Sequence, residues 1–322
     1  MHIKFSAVQP DGGDFLSGDP AFLVVPYEGI GLVFLDGVGS FDVRRDLHFD
    51  RSDLTVTPVK SREIFPNLMS YSQTFPQRMR DTVLGLAMGI GDRLFFGKTV
   101  LLAIQGSSYG EAASLDYVGK AGSAKMDVYT AKRRTASVSF RFIRYQDDTG
   151  NMTAGTKLSP SYAAELIGIL NRLYMPSANI ELTLNTSTQV NVNRGLGTPM
   201  SKASFLSHVA PLRDTGADMT IFFVGQYKGT TDPLGEAFRD LKCAVVDDAP
   251  HQALTLTFDD QINYGPNPLD RPRSDRDLHV VLAHEIAHLL GANHTDEPDN
   301  LMSMRLQTLR LSKDTVKAVN RS

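Results

Sequence analysis

Short apolar runs dominate the first third of the chain, and their spacing is that of strands. Five such runs, separated by clusters of Gly, Pro and Asp, predict strands here, whereas residues 77–90 have helical spacing. We therefore expect a mixed α/β unit at the N-terminus. Residues 106–122 are rich in Gly, Ala and Ser and are the best candidate for a boundary, which divides the chain into 1–122 and 123–322. The predicted strands are residues 3–8, 21–25, 30–35, 54–57 and 94–104.

The rest of the chain alternates strand-like and helix-like segments. Val138, Phe140 and Phe142 alternate with polar residues, which predicts a strand with one buried face. Ser159 and Pro160 have the residue types of a helix start, and we expect that helix to continue to residue 174 and to stop before Pro176. Further strands are predicted at residues 180–184, 219–224, 243–246 and 254–258, a short helix at 201–212 and a loop at 225–240; residues 185–199 are polar.

Two more helices are predicted near the C-terminus. Ser274 and Asp277 have the Ser-x-x-Asp spacing of a capping box, so we expect a largely buried helix to begin there and to continue through His284. His279 lies about 140° around that helix from His284 and is expected to be structural or solvent-facing. Ser312 has the residue type of an N-cap for the last helix.

Composition and charge narrow the class of protein. The 322 residues are 42% hydrophobic and 21% charged, which is typical of a globular chain with one large domain or two of ordinary size. The net charge of −3 gives no basic field for nucleic acid. No apolar run approaches the ~18 residues of a membrane span. Cys243 is the only cysteine, so no intrachain disulfide can form.

The first six residues lack the charged segment, apolar core and cleavage site of a secretory signal. We expect secretion or delivery by a non-classical route, and a cytoplasmic location is the alternative.

One motif carries the chemistry that the sequence predicts. His284 and His288 are four residues apart on the predicted helix, so both imidazoles face one side and can bind one metal ion. Glu285 is turned about 100° around the helix, near a metal-bound water without being a ligand. Gly291 can end the helix in a left-handed conformation, which lets the chain turn back and His294 supply a third nitrogen. Three imidazoles with one open position are typical of a catalytic zinc site.

The full pattern His-Glu-x-x-His-x-x-Gly-x-x-His, followed by Met302 eight residues after His294, resembles the metzincin metallopeptidases, with a matrixin-like spacing to the methionine turn. The subfamily stays unassigned. The resemblance implies a catalytic domain of α/β (α+β) class, with a twisted mixed sheet of about five strands, an active-site helix and a C-terminal helix. It implies a zinc endopeptidase with Glu285 as general base and Met302 as an apolar floor beneath the imidazoles. It also implies a substrate-binding edge strand, which we assign to Cys243, Ala244 and Val245.

Several alternatives stay open. Residues 1–122 are interpreted as a pro-segment, a docking module or a delivery module with its own partner. Residues 15–19 loosely resemble an inhibitory Phe-x-Gly-Asp motif of some metzincin pro-segments, one residue out of register. A non-catalytic zinc-containing binding protein and a delivered peptidase effector are the competing functions. Four acidic residues suggest a calcium site: Asp247, Asp248, Asp259 and Asp260.

Overall fold

The structure is a computed structural model that describes the chain apart from residues 1–2, 8–20, 39–41, 60–98, 111, 121, 194–195, 197–198, 229–233, 249–277, 298–299, 304–310 and 322. The N-terminal part contains two four-stranded sheets. The first has the order β1-β3-β6-β5 and is antiparallel throughout. Its strands are β1 (Lys4–Ala7), β3 (Gly31–Asp36), β5 (Leu54–Pro58) and β6 (Thr99–Gly106).

The second sheet packs against the first. It has the order β2-β8-β7-β4, with β2 parallel to β8 and the other pairs antiparallel. Alternate side chains of both sheets meet in one apolar core, which makes this part a β-sandwich. A short helix, Val43–Asp46, precedes β4. The strands are β2 (Ala21–Pro26), β4 (Leu47–Phe49), β7 (Ala112–Gly119) and β8 (Gly122–Ala131).

The five strands predicted in this part correspond to β1, β2, β3, β5 and β6. The helix predicted at residues 77–90 lies outside the described residues. The Gly-rich segment 106–122 is not a linker, because its residues 112–119 form β7, which pairs with β8 along its whole length. Leu115 and Tyr117 alternate inward there, and burial of these large side chains outweighs the flexibility that the small residues indicate.

The C-terminal part is built on a six-stranded mixed sheet. The order is β10-β9-β13-β16-β15, and β11 also pairs with β9. Strands β9, β11, β13 and β16 are parallel, whereas β10 and β15 are antiparallel to their neighbours. The mixed α/β class predicted from the sequence is confirmed. The strands are β9 (Arg134–Gln146), β10 (Met152–Gly155), β11 (Ile180–Asn193), β13 (Met219–Val224), β15 (Gly235–Phe238) and β16 (Cys243–Asp247).

Apolar layers cover both faces of this sheet, which explains the continuous apolar run of β13. Ile221 and Phe223 belong to the main core, together with three helices that we name the long helix (Ala163–Ala178), the histidine helix (Leu278–Leu289) and the C-terminal helix (Lys313–Arg321). Phe222 and Val224 point to the opposite core, under the helical turns of residues 202–212. Among the helices that the structure describes, none is long and apolar enough to cross a membrane.

Two predicted boundaries of this part were wrong. The long helix continues through Pro176 to Ala178, because near a helix end the proline removes only one main-chain hydrogen bond. Asn179 ends the helix instead, in the left-handed region at φ 54. The strand predicted at residues 180–184 extends to Asn193, into the polar segment 185–199. Main-chain hydrogen bonds with β9 stabilise this part of the strand. Its side chains are largely exposed, so its sequence does not alternate between apolar and polar residues.

The segment predicted as a loop at 225–240 contains β15 and a short strand, β14 (Tyr227–Lys228), which pairs with β12 (Met200–Ser201). This changes the edge of the main sheet. Cys243, Ala244 and Val245 lie in β16, which is paired on one side with β13 and on the other with β15. Among the described residues, the edge strand is therefore β15 and not the strand assigned from the sequence.

The sandwich and the mixed sheet share a contact surface. Phe22 and Tyr129 of the sandwich belong to the same core as the long and C-terminal helices. Asn179 donates a side-chain hydrogen bond of 2.8 Å to the carbonyl oxygen of Ala131, the last residue of β8. Lys313, at the start of the C-terminal helix, forms an ion pair with Asp127. Two of the three main helices are thus fixed directly to the sandwich.

Candidate metal centre

The end of the histidine helix reverses the chain. Gly291 has φ 107, in the region that favours glycine. Its N–H donates to the carbonyl of His288 at 3.0 Å, and the N–H of Ala292 donates to the carbonyl of Ala287 at 2.9 Å. This pair of hydrogen bonds is a Schellman motif, which satisfies the last free carbonyls of the helix. The helix therefore ends at this turn, and the chain beyond Gly291 returns towards it.

The reversal brings three imidazoles together. The Nε2 atom of His294 lies 3.1 Å from Nε2 of His284 and 3.1 Å from Nε2 of His288. One nitrogen from each ring lies within 4.8 Å of the others. Zinc–nitrogen bonds of about 2.0–2.1 Å in tetrahedral geometry place two ligand nitrogens about 3.3 Å apart. The spacing of these nitrogens therefore fits one zinc ion.

Main-chain carbonyls fix the orientation of two of the rings. Nδ1 of His284 lies 2.7 Å from the carbonyl oxygen of Leu301, and Nδ1 of His288 lies 2.9 Å from that of Ala292. Because a carbonyl only accepts, each Nδ1 carries the proton and donates it. Each Nε2 then presents a lone pair to the centre of the cluster. This is the tautomer that a metal ligand requires.

The same two histidines are held neutral. Burial lowers the pKa of His284 to about 3 and the pKa of His288 to about 4, because the charged imidazolium is penalised away from water. The hydrogen bonds to the carbonyls of Leu301 and Ala292 oppose this effect without reversing it. Neutral imidazoles at physiological pH are available to bind a cation without first losing a proton.

Glu285 is a buried carboxyl group between the histidine helix and the edge strand. Only 4% of its surface is exposed. Burial raises its pKa to about 8, and repulsion from Glu236 on β15 adds to this effect. Gly235 of β15 faces it closely: a β-carbon at that position would lie 2.8 Å from both Cγ and Oε1 of Glu285. The carboxyl group therefore occupies space that a side chain at position 235 would fill.

A turn after His294 is hydrogen-bonded both to one of the three histidines and to the start of the C-terminal helix. Asn300 is fully buried, and its Oδ1 accepts from the N–H of Met302 at 2.9 Å. Its Nδ2 donates to Ser312 Oγ at 2.7 Å, at the start of the C-terminal helix. The turn also contains Leu301, whose carbonyl binds His284. Met302 is fully buried in the main core, and its position as an apolar floor beneath the imidazoles stays a prediction.

Comparison with known families agrees with this geometry. Residues 183–321 match the sequence model of the matrixin family, a family of peptidases. This part of the chain is metzincin-like. The match supports a metallopeptidase in general and confirms the resemblance seen in the sequence, with the subfamily unassigned. No curated protein matches the sequence significantly.

Some residues around the three histidines belong to no sequence motif that would indicate their place at the matrixin-like centre. Gly235 and Arg239 fall in the segment predicted as a loop, and only their contacts with the histidine helix reveal them. Asn300, two residues before Met302, belongs to no motif of the sequence, although its side chain holds the turn.

His279 is buried, as a structural residue should be. Among the described residues, the group of His, Cys, Asp and Glu side chains arranged to hold a metal consists of the three histidines, without His279.

The acidic residues considered for calcium have other partners where they are described. Asp247 accepts from the N–H of Tyr227 at 2.9 Å. Asp248 accepts from the N–H groups of Lys157 and Leu158. Asp259 and Asp260 lie outside the described residues. Calcium binding stays a prediction.

Proposed function

We propose that the chain is a zinc-dependent endopeptidase that hydrolyses peptide bonds in proteins or peptides. The observation that carries the proposal is the convergence of the Nε2 atoms of His284, His288 and His294 beside the buried carboxyl group of Glu285. Three imidazole nitrogens fit zinc, and three protein ligands instead of four leave a coordination position open. The matrixin match of residues 183–321 supports the same function.

When bound, a zinc ion supplies a Lewis acid that lowers the pKa of water and polarises a substrate carbonyl. The chain's own base is Glu285. It accepts a proton from the attacking water and delivers it to the amine of the leaving peptide. Its pKa of about 8 in the absence of a cation keeps the carboxyl group ready to hold a proton. A cation among the three imidazoles lowers that pKa, because a nearby positive charge favours the carboxylate.

Strand β15 is the surface that we propose for an extended substrate. The carbonyl of Leu234 accepts from the N–H of Asp247 at 2.8 Å, so the main chain of residue 234 points towards β16. In an antiparallel pair the direction alternates, which turns the N–H and C=O groups of Gly235 and Ala237 outward. A peptide can form main-chain hydrogen bonds with these groups. Since Gly235 also touches Glu285, the added strand would pass beside the base.

The first test separates metal binding from catalysis. We expect purified protein to contain one zinc per chain and to cleave casein or a peptide library. Glu285→Gln should retain the zinc and lose cleavage by a factor of about 10² or more, because the amide has the shape of the carboxyl group but cannot accept the proton. A chain that binds zinc and cleaves no substrate would contradict the proposal and favour a non-catalytic zinc protein.

For the N-terminal part we propose a permanent support for the peptidase. Strand β8 completes the sandwich, so a boundary at residue 122 would separate it from β2 and β7; we place the boundary after Ala131. The contacts of Asp127 and Ala131 are with the C-terminal and long helices rather than with the three histidines. These contacts support a docked module over an inhibitory segment that covers the metal centre. Residues 15–19, which loosely resemble an inhibitory motif, lie outside the described residues.

A further inference from the structure

An arginine that follows the edge strand donates hydrogen bonds to carbonyl groups at the C-terminal end of the histidine helix. Arg239 follows β15 directly and begins a short helical turn, Arg239–Leu241. Its Nε donates to the carbonyl of His288 at 2.7 Å, and its terminal nitrogen donates to the carbonyl of Ala292. A guanidinium group suits this place, because the C-terminal end of a helix carries partial negative charge.

One of these carbonyls also orients a metal ligand. The carbonyl oxygen of Ala292 accepts from Nδ1 of His288 at 2.9 Å as well as from Arg239. A carbonyl oxygen has two lone pairs, so it can accept both hydrogen bonds. The chain of contacts is therefore Arg239 to Ala292 to His288. Displacement of the Ala292 carbonyl would leave the His288 ring free to rotate about its side-chain torsions.

The two orienting contacts differ in their surroundings. The corresponding partner of His284 is the carbonyl of Leu301, a fully buried residue in the turn that Asn300 holds. His288 is only partly buried, and its hydrogen bond to the buried Ala292 is partly exposed, whereas the hydrogen bond of His284 is buried. The contact that orients His288 therefore lies nearer to solvent than the one that orients His284.

We propose that Arg239 is a positioning residue for the metal centre: its guanidinium holds the Ala292 and His288 carbonyls and thereby fixes the His288 imidazole for metal binding. This inference rests on the proposed zinc site. It also makes β15 and the histidine helix a single unit, because the residue that follows the strand is hydrogen-bonded to the end of the helix. The ligand geometry is then coupled to the strand proposed to receive substrate.

The test measures zinc release from the intact protein, in addition to cleavage. Zinc-loaded wild type, Arg239→Ala and Arg239→Lys are mixed with a chromogenic chelator, and the release rate is followed. Loss of a group that orients a metal ligand typically weakens metal binding by about 10–100-fold, so we expect Arg239→Ala to release zinc faster by that order. Arg239→Lys should restore part of the difference, because an ammonium group can still donate to one of the two carbonyls.

Arg133→Ala is the matched control. Arg133 is an exposed arginine that pairs with Glu181, so the variant removes the same charge and a surface ion pair without touching the histidine helix. Thermal unfolding of the metal-free proteins and the visible spectrum of Co²⁺-loaded proteins are recorded for all variants. We expect the Co²⁺ spectrum of Arg239→Ala alone to change, while metal-free Arg239→Ala unfolds close to the control.

Three results would overturn the inference. The first is a zinc release rate and Co²⁺ spectrum of Arg239→Ala equal to those of the control. The second is faster release that only parallels a loss of stability in the metal-free protein, which would assign Arg239 to helix stability. The third is wild-type protein that binds no zinc, which would remove the proposed function as well. In the first two cases the zinc site of the wild type stands, so the failures are distinguishable.

Discussion

At the scale of single residues, the candidate metal centre contains side chains whose pKa values burial has shifted in opposite directions. His284 and His288 have pKa values of about 3 and about 4, and both are held neutral. Glu285 has a pKa of about 8 and is held protonated at neutral pH while no cation is bound. A divalent cation reverses the second effect and stabilises the neutral imidazoles as ligands, so metal binding and proton release are coupled at this centre.

We predict that His284, His288 and Glu285 together contribute most to the stability of the metal-free protein near pH 6.5. The histidine pKa values lie below the ordinary 6.5, so the unfolded chain binds more protons and stability falls as the pH drops below 6.5. The pKa of Glu285 lies above the ordinary 4.5, so stability falls as the pH rises from 4.5 through about 8. Between pH 4.5 and 6.5 the two histidines outweigh the glutamate.

Urea unfolding in the presence of a chelator, at about pH 5, 6.5 and 8, measures this dependence through the free energy of unfolding. Each group that titrates contributes about 1.4 kcal/mol per pH unit within its window. Glu285→Gln is the control, and it should abolish the decline on the alkaline side. A wild-type stability that continues to rise between about pH 6.5 and 8 would show that Glu285 is not held protonated.

The three histidines could be proposed as metal ligands from the sequence because their spacing along one helix and one turn fixes their geometry. His284, His288 and Gly291 need only the helix periodicity and a left-handed turn to converge with His294. Arg239 comes from a different element and lies 49 residues before His288 in the chain. No local pattern encodes such a contact, so it could not be predicted from one sequence.

At the scale of elements, the turn that contains Asn300 joins the metal centre to the C-terminal helix. Asn300 Nδ2 lies 2.7 Å from Ser312 Oγ and 3.1 Å from Thr315 Oγ1, both on or beside that helix. Its Oδ1 holds the N–H of Met302, and the intervening Leu301 carbonyl holds His284. One buried amide therefore connects a ligand to the packing of the last helix.

We predict that Asn300→Ala lowers the free energy of unfolding by about 1–3 kcal/mol and weakens zinc binding, because it leaves the N–H of Met302 buried without its acceptor. Urea unfolding and chelator competition measure the two effects. Ser312→Ala removes one partner of the amide and leaves the turn intact, so it serves as the control with a smaller effect. Equal losses for the two variants would mean that Asn300 does not hold the turn.

Elements with strong apolar patterns were predicted correctly, and those held by main-chain pairing were not. Met219–Val224 has six buried residues in succession, and its central position follows from that run. By contrast, β15 is four residues long and only partly buried, and it lies in a segment rich in glycine. The edge strand was misassigned for the same reason: Cys243–Asp247 is apolar because it lies inside the sheet, whereas β15, the edge strand among the described residues, carries little apolar signal.

At the scale of the whole molecule, the sandwich and the mixed sheet share one apolar core, which holds Phe22 and Tyr129 together with the long and C-terminal helices. The length and composition of the chain indicated a second unit but not its architecture. The contact between the units joins residues more than a hundred positions apart, such as Asp127 and Lys313, and no periodicity in the sequence records it.

We predict that the two units stay together after the connection between them is cut. A specific protease site inserted between Lys132 and Arg133, which link β8 to β9, allows cleavage of the folded full-length protein. The fragments should co-elute in gel filtration with unchanged peptidase activity, because the buried apolar contact holds them. The uncut insertion variant is the control. Separate elution with increased activity would identify the sandwich as an inhibitory segment.

Gly235 gives the edge strand a mechanical connection to the base. The main chain at this position limits the space for Glu285, and Val281 Cγ1 would lie only 3.0 Å from an added β-carbon. Main-chain atoms have no side-chain rotamers, so the main chain at Gly235 can move away from Glu285 only when the strand moves. A peptide that pulls β15 outward as it pairs would enlarge the space around the carboxyl group, and one that presses the strand inward would reduce it. The way in which a substrate pairs with β15 would then change, through Gly235, how freely the carboxyl group of Glu285, the proposed proton carrier, can move.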